Sequence, residues 1–153
     1  MSSIAIQHAH LPAMSASAID VVRAVESEHR KLEQVSFVTE HTIHGGIYLR
    51  TVRIPKDAII TGVLVKVATN LIVVGDAIVF TGYETVRVTG YATLPASAGR
   101  KQIFRAISEL ILTMSFPCDV KTVAEAEALF TDEVSLLPSL ADVDRHRIII
   151  TGE

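Results

Sequence analysis

Between residues 35 and 117 the chain is built from short runs of alternating apolar and polar residues that end at glycine or proline. The clearest run, IYLRTVRI at 47–54, follows Gly45-Gly46 and stops at Pro55. A period of two is typical of a strand with one buried face, and Gly and Pro favour turns. Further runs are rich in β-branched residues and lie at 58–67, 70–74, 77–81, 84–89 and 92–94, with one or two strands in 103–116 after a loop at 95–102. The pattern predicts a β-sandwich or barrel.

Two flanking segments have a helical pattern instead. In 18–34, apolar residues recur on one face, charged residues cover the rest, and Ser17 can cap the start. Residues 121–130 are rich in Ala and Glu, which are good helix formers. The predicted organisation is an N-terminal arm (1–17), a helix (18–34), a β domain that ends with a short helix (35–130) and a C-terminal tail (131–153).

The two ends of the chain carry apolar residues that suggest contacts. An exposed β-prone triplet at 148–150 would be an aggregation hazard, so it is expected to pair with a sheet edge in this subunit or in another. The candidate interface residues are Ile4, Ile6, Leu11, Pro12, Ile148, Ile149 and Ile150.

Composition narrows the class of protein. A chain of 153 residues fits one domain, and 49% hydrophobic residues favour a homo-oligomer that buries some of them between subunits. The net charge of −3 gives no support for direct nucleic-acid binding. The single cysteine, Cys118, excludes an intrachain disulfide. No apolar run approaches the roughly 18 residues of a membrane-spanning helix, so no membrane partner is expected.

One group of candidate metal ligands comes just before the Gly-Gly turn, namely Glu40, His41 and His44. A metal site usually draws ligands from a second segment, and none of matching spacing is present. The favoured interpretation is therefore that these are turn and surface polar groups, with no metal site. The arm pair, His8 and His10, is a weaker candidate.

Basic residues in the β region suggest an anion pocket as a further hypothesis. The candidates are Arg50, Lys66, Arg100, Lys101 and Arg105. Arg binds phosphate through a planar fork, and the loop before Arg100 could add backbone N–H donors. Arg50 and Arg53 point to opposite faces of one strand, so not all basic residues of the region can converge. The alternative is that these are solvated charges and surface ion pairs. No hydrolase elbow, phosphate-binding loop or dinucleotide fingerprint is present, and no catalytic residue is assigned.

Residues 40–130 resemble a family of small cupin-like proteins encoded by bacteriophages. The resemblance is carried by the order and spacing of Glu40-His41, 46–50 (GIYLR), Ile54-Pro55, 61–66 (TGVLVK), 70–76 (NLIVVGD), 95–101 (PASAGRK) and 125–127 (EAE). It implies a mainly β fold, a jelly roll or double-stranded β-helix, with an N-terminal helix and a short C-terminal helix.

The same resemblance shows where metal ligands would stand. The first cupin motif aligns with 65–70 (VKVATN), which holds no histidine or carboxylate. In the second motif, Gln102 occupies the histidine position. Lys, Ala, Val and Thr are poor ligands, so the usual cupin metal chemistry is not expected and no cofactor is assigned.

Three functions remain open at this point. The leading expectation is a non-enzymatic structural protein of a phage virion, a cement, decoration or connector-type subunit that is assembled in the host cytoplasm and contacts other virion proteins such as the major capsid protein. The alternative is a phage protein that binds and sequesters a nucleotide used in host defence. The third is a cupin-type enzyme whose ligands come from outside the usual motifs.

Overall fold

The computed structural model describes residues 10–138 and 145–153, and these form two α-helices, ten strands and one 3-10 helix. The helices are α1 (Ala16–His29) and α2 (Val123–Phe130), and the 3-10 helix covers Val134–Leu136. The strands are β1 (Val38–His44), β2 (Ile47–Ile54), β3 (Ile59–Thr61), β4 (Thr69–Val74), β5 (Ala77–Phe80), β6 (Thr85–Val88), β7 (Tyr91–Ala96), β8 (Ile103–Ala106), β9 (Leu110–Pro117) and β10 (His146–Ile150).

Two sheets face each other. The order in one is β10-β1-β2-β9-β4-β7 and in the other β3-β8-β5-β6. Strands β2 to β9 thus form two four-stranded sheets, and apart from the β5-β6 hairpin their neighbours are not consecutive in the chain, which is the jelly-roll arrangement. The predicted fold class, a mainly β jelly roll with a helix on each side, is confirmed.

Strand β2 shows how the sequence sets the inner and outer faces. Tyr48, Arg50 and Ile54 are buried between the sheets, whereas Arg53 is exposed. The predicted opposition of Arg50 and Arg53 is confirmed. Gly45 and Gly46, both at positive φ (60° and 72°), form the two-residue turn that joins β1 to β2.

The predicted strand at 58–67 is mostly wrong, because only Ile59–Thr61 forms a ladder. From Gly62 to Lys66 the backbone N–H groups donate elsewhere, including to Gln102 O (2.8 Å), Arg100 O (2.9 Å) and Phe130 O (2.8 Å). The segment therefore joins the barrel wall to the loop before β8 and to the end of α2.

Helix α1 differs from the predicted 18–34 at both ends. The cap is Ser15, whose hydroxyl accepts from Ala18 N–H, and not Ser17. The helix ends at His29, and the Gln34 amide donates to the carbonyls of His29 and Leu32 (3.1 and 2.8 Å), which satisfies acceptors at this end. None of the helices in the described ranges is long and apolar enough to cross a membrane.

Both ends of the described chain pack on the protein's own barrel. Leu11 bridges to Ala96 and is buried in the main core, so its assignment as an interface residue is wrong. Pro12 is exposed, and Ile4 and Ile6 lie outside the described residues. Strand β10 pairs in parallel with β1, which confirms the expected edge pairing and places it within this subunit.

Candidate functional site

The space between the sheets contains a cavity of about 680 Å³. Its walls are mainly apolar and include Ile54, Leu71, Phe104, Leu112 and Met114. Exposed residues also line it, Leu32, Val35, Ile59 and Leu136 among them, so the cavity opens to solvent between the segment after α1, β3 and the 3-10 helix. The polar groups in the deep part of the wall are Arg50, Arg100 and Gln102.

Arg50 is fully compensated in charge. Its Nη1 donates to Glu127 Oε2 of α2 at 3.0 Å and lies 3.4 Å from the Tyr48 hydroxyl. The guanidinium also sits 5.8 Å from the centre of the Phe130 ring. Alternation puts Arg50 on the inner face of β2, and α2 brings the carboxylate to it. The pair adds no net charge to the cavity wall.

Lys101 is completely buried but is also compensated. Its Nζ lies 3.2 Å from Glu26 of α1 and 3.0 Å from Glu133. Burial alone would raise the pKa of Glu133, but hydrogen bonds from Lys101 and from Leu64 N–H, with the nearby positive charges, lower it. Lys101 therefore joins α1 to the segment after α2, a structural role.

Arg100 is buried, with 4% of its surface exposed, and has no carboxylate within 4.0 Å among the described residues. Its Nη1 donates to Ser97 O (2.9 Å) and its Nη2 to Thr69 Oγ1 (2.7 Å), both neutral acceptors. Burial lowers the pKa of Arg100 to about 10, which still leaves it charged at neutral pH. A buried charge without a counter-charge is costly and is uncommon as a purely structural element.

The loop before Arg100 does not form the expected cradle of N–H donors. The N–H of Ser97 donates to Leu11 O, and those of Gly99 and Arg100 donate to Val65 O. The arm and the 62–66 segment therefore use these donors. A smaller hollow of about 270 Å³ lies against Thr69 and Ser97, the two partners of Arg100.

The other two anion candidates lie outside the cavity. Lys66 is exposed and its Nζ lies 2.6 Å from Asp132. Arg105 is exposed, on the outward-facing position of β8. Of the five candidates the structure thus places Arg50 and Arg100 in the cavity wall, Lys101 in a buried ion cluster, and Lys66 and Arg105 at the surface.

The positions where the resemblance would place a cupin metal do not provide a donor set. Val65 and Gln102 line the cavity and Thr69 binds Arg100, so the wall offers an alkyl group, an amide and an engaged hydroxyl. Within residues 10–138 and 145–153, no cluster of three or more His, Cys, Asp or Glu could hold a metal. An alkyl group, an amide and an engaged hydroxyl do not fit a metal ion.

Glu40, His41 and His44 cannot act together. His41 points inward, whereas Glu40 pairs with Arg53 and Arg147 on the outer side of the sheet. His44 is exposed and its Nδ1 bonds the Thr151 hydroxyl at 2.7 Å. On β1, His41 lies on the opposite face from Glu40 and His44, and Glu40 and His44 are four positions, roughly 13 Å, apart along the strand.

A buried polar network that the sequence did not predict joins β1, β2 and β10. His41 Nδ1 lies 2.8 Å from the Tyr48 hydroxyl, and its Nε2 lies 2.9 Å from Nδ1 of His146 on β10. Burial, then the charges of Arg50 and His146, lower the pKa of His41 from 6.5 to about 4, so His41 is neutral at pH 7. Alternation in β1 and β2 could have placed His41, Tyr48 and Arg50 on one face, but nothing local reveals the contact with His146.

Comparison with known proteins gives matches only among solved structures. No protein-family model matches the sequence, and no curated protein matches it. The chain is similar in structure to an ectoine synthase from P. lautus, with 17% identity, a TM-score of 0.49, and 63% of this chain and 74% of that chain covered.

Two cupin-2 domain proteins are also similar. For the protein from Rhodospirillum rubrum the identity is 16% and the TM-score 0.46, over 74% of this chain and 84% of that chain. For the protein from Shewanella frigidimarina the values are 10% and 0.41, over 61% and 91%. The jelly-roll arrangement of this chain rests on the strand order of its own two sheets.

Proposed function

We propose that this protein is a non-catalytic binding protein that holds a small, largely apolar molecule in the space between its sheets. The observation that carries the proposal is the cavity of about 680 Å³, because it has mainly apolar walls and a mouth that opens to solvent. Ligand sites in proteins are commonly of this size and character, with a few polar groups that fix orientation.

The chemistry of the wall favours binding over catalysis. Arg50 is neutralised by Glu127, and among the described residues of the wall no hydroxyl or thiol is hydrogen-bonded to a base. The thiol of Cys118 has a raised pKa because of burial, which opposes its activation. Proteins that retain a barrel cavity without a reactive centre are well suited to carry or sense a ligand.

The test uses N-phenyl-1-naphthylamine, a neutral dye that fluoresces in apolar surroundings. We expect saturable binding by the natural protein and its loss in Leu112→Trp or Ala58→Phe, which place bulk in the cavity. Leu129→Trp is the matched control, since Leu129 is exposed on α2 and does not line the cavity. Thermal denaturation identifies variants that fail to fold. Dye binding that persists unchanged in folded cavity-filling variants contradicts the proposal.

A second candidate function is a subunit of an assembly, as expected for a virion structural protein. The observation in its favour is the edge strand β10, where Ile148, Ile149 and Ile150 are 45–59% exposed. Exposed apolar edges tend to pair with another chain. Light scattering of the natural protein and of Ile149→Lys tests it: a defined oligomer that dissociates in the variant supports this function, and a monomer in both excludes self-association through β10.

A further inference from the structure

We propose that the ligand of the cavity carries an anionic oxygen group, a carboxylate or a phosphate, and that Arg100 binds that group. The inference rests on the proposed binding function and names the chemical class of its ligand.

The buried cations differ in the partners that the fold gives them. The buried cationic side chains in the described residues are Arg50, Arg100 and Lys101. Arg50 has one carboxylate partner and Lys101 has two, whereas Arg100 has only a carbonyl and a hydroxyl. The fold therefore supplies a counter-charge wherever a cation is structural, and a bound anion would supply it at Arg100.

The guanidinium of Arg100 has donors that make no hydrogen bond to the described residues. A guanidinium has five N–H groups, and the two hydrogen bonds to Ser97 and Thr69 leave three of them for a ligand. The two bonds also fix the plane of the group, which favours paired contacts with a carboxylate or phosphate.

The side-chain amide of Gln102, in the same cavity wall, is a second group that lacks a partner. It lines the cavity with Arg100, is 4% exposed, and its Nε2 has no hydrogen-bond partner among the described residues. A buried amide without a partner costs free energy. An acceptor oxygen of a ligand beside Arg100 would satisfy it.

The walls limit the rest of the ligand. Ile54, Leu71, Phe104, Leu112 and Met114 offer only apolar or weakly polar surface. Arg100 is the one buried cation of the described wall without a carboxylate partner, which matches a ligand with a single anionic end and an apolar body. A nucleotide polyphosphate would bring several charges, and Arg50 and Lys101 are already neutralised by carboxylates. The geometry therefore favours an amphipathic monoanion over a nucleotide.

The experiment is displacement of N-phenyl-1-naphthylamine by decanoate, decyl phosphate, decanol and ATP. For the natural protein we expect decanoate or decyl phosphate to displace the dye at a concentration about tenfold or more below that of decanol. The stronger of the two identifies the head group. In Arg100→Met this preference should disappear while decanol still competes.

Two variants control for folding and for surface charge. Arg53→Met removes an exposed arginine on the outer face of β2 and should leave the preference unchanged. Arg100→Lys keeps the charge without the fork and should retain part of the preference, so it replaces Arg100→Met if that variant does not fold.

The outcomes separate the two proposals. Equal competition by decanoate, decyl phosphate and decanol, with no effect of either Arg100 substitution, overturns the anion assignment and leaves the binding function intact. Strong displacement by ATP alone overturns the monoanion assignment. Failure of the dye to bind the natural protein overturns the binding function, and the anion assignment falls with it.

Discussion

Arg50 on β2 and Glu127 on α2 form an ion pair inside the barrel, with 3.0 Å between Nη1 and Oε2. Both side chains are buried, and the pair attaches α2 to the inner face of the larger sheet. Arg100, which lines the same cavity, has no such partner within residues 10–138 and 145–153. This difference between two buried arginines gives them opposite expected behaviours.

Replacing Arg50 by Met should destabilise the protein by about 3–5 kcal/mol, because it leaves the Glu127 carboxylate buried and unpaired. Replacing Arg100 by Met should cost clearly less, because it removes a charge that has no carboxylate partner and leaves only neutral acceptors unpaired. Urea unfolding of both variants without ligand measures the difference. Equal losses would mean that the Arg100 charge is compensated in the folded protein.

Stability should fall as the pH drops from about 6.5 to about 4, because His41 has a lowered pKa in the folded protein. Over this interval the unfolded chain binds a proton that folded His41 does not, so acid favours unfolding. The shift corresponds to at most about 3 kcal/mol. Urea unfolding between pH 7 and pH 5 measures the effect above the main carboxylate titrations.

His41→Gln is the control for this pH dependence. The amide can replace a hydrogen bond to Tyr48 or His146 but does not titrate, so the slope of stability against pH should flatten. A slope identical to that of the natural protein would assign the effect to other groups.

Lys101→Met should detach α1 and the 3-10 segment from the loop before β8. Glu26 and Glu133 would lose their shared cation, and both side chains retain some contact with solvent (13% and 18% exposed). The expected cost therefore lies at or below the lower end of the range of about 3–5 kcal/mol for breaking a buried pair. Faster proteolysis within α1, measured against Lys66→Met at the surface, checks the assignment.

Gly82→Ala should displace α1 from the barrel. Gly82 has a φ of +92°, and a Cβ there would lie 2.6 Å from the carbonyl oxygen of Ala18. Gly90→Ala is the matched control, since Gly90 has a φ of +75° and open space around it, so it should cost only the strain of about 1–2 kcal/mol. A Gly82 variant no less stable than the Gly90 variant would show that α1 does not press on this turn.

Part of this architecture was readable from residue order. The alternation in 47–54 and the turn at Gly45-Gly46 predicted β2 and its faces, because side-chain direction in a strand follows from a period of two. The helix predicted at 121–130 is α2, and 103–116, predicted as one or two strands, forms the two strands β8 and β9. The ends of α1 were not readable. Ser15 caps the start although Ser17 is an equally plausible cap in the sequence, and Gln34 bonds the His29 carbonyl at the other end.

By itself, the sequence determined a β-rich chain, the opposite faces of Arg50 and Arg53, and the absence of histidine and carboxylate from 65–70 and position 102. Only the tertiary structure decided which cations are neutralised. Glu127 reaches Arg50 across 77 positions of the chain, and Glu26 and Glu133 reach Lys101 across 75 and 32 positions. Such pairings depend on packing between distant elements, which local periodicity does not encode. The proposed ligand class rests on Arg100, which bonds only a carbonyl and a hydroxyl in the described part of the chain. Packing of the folded barrel decides this arrangement.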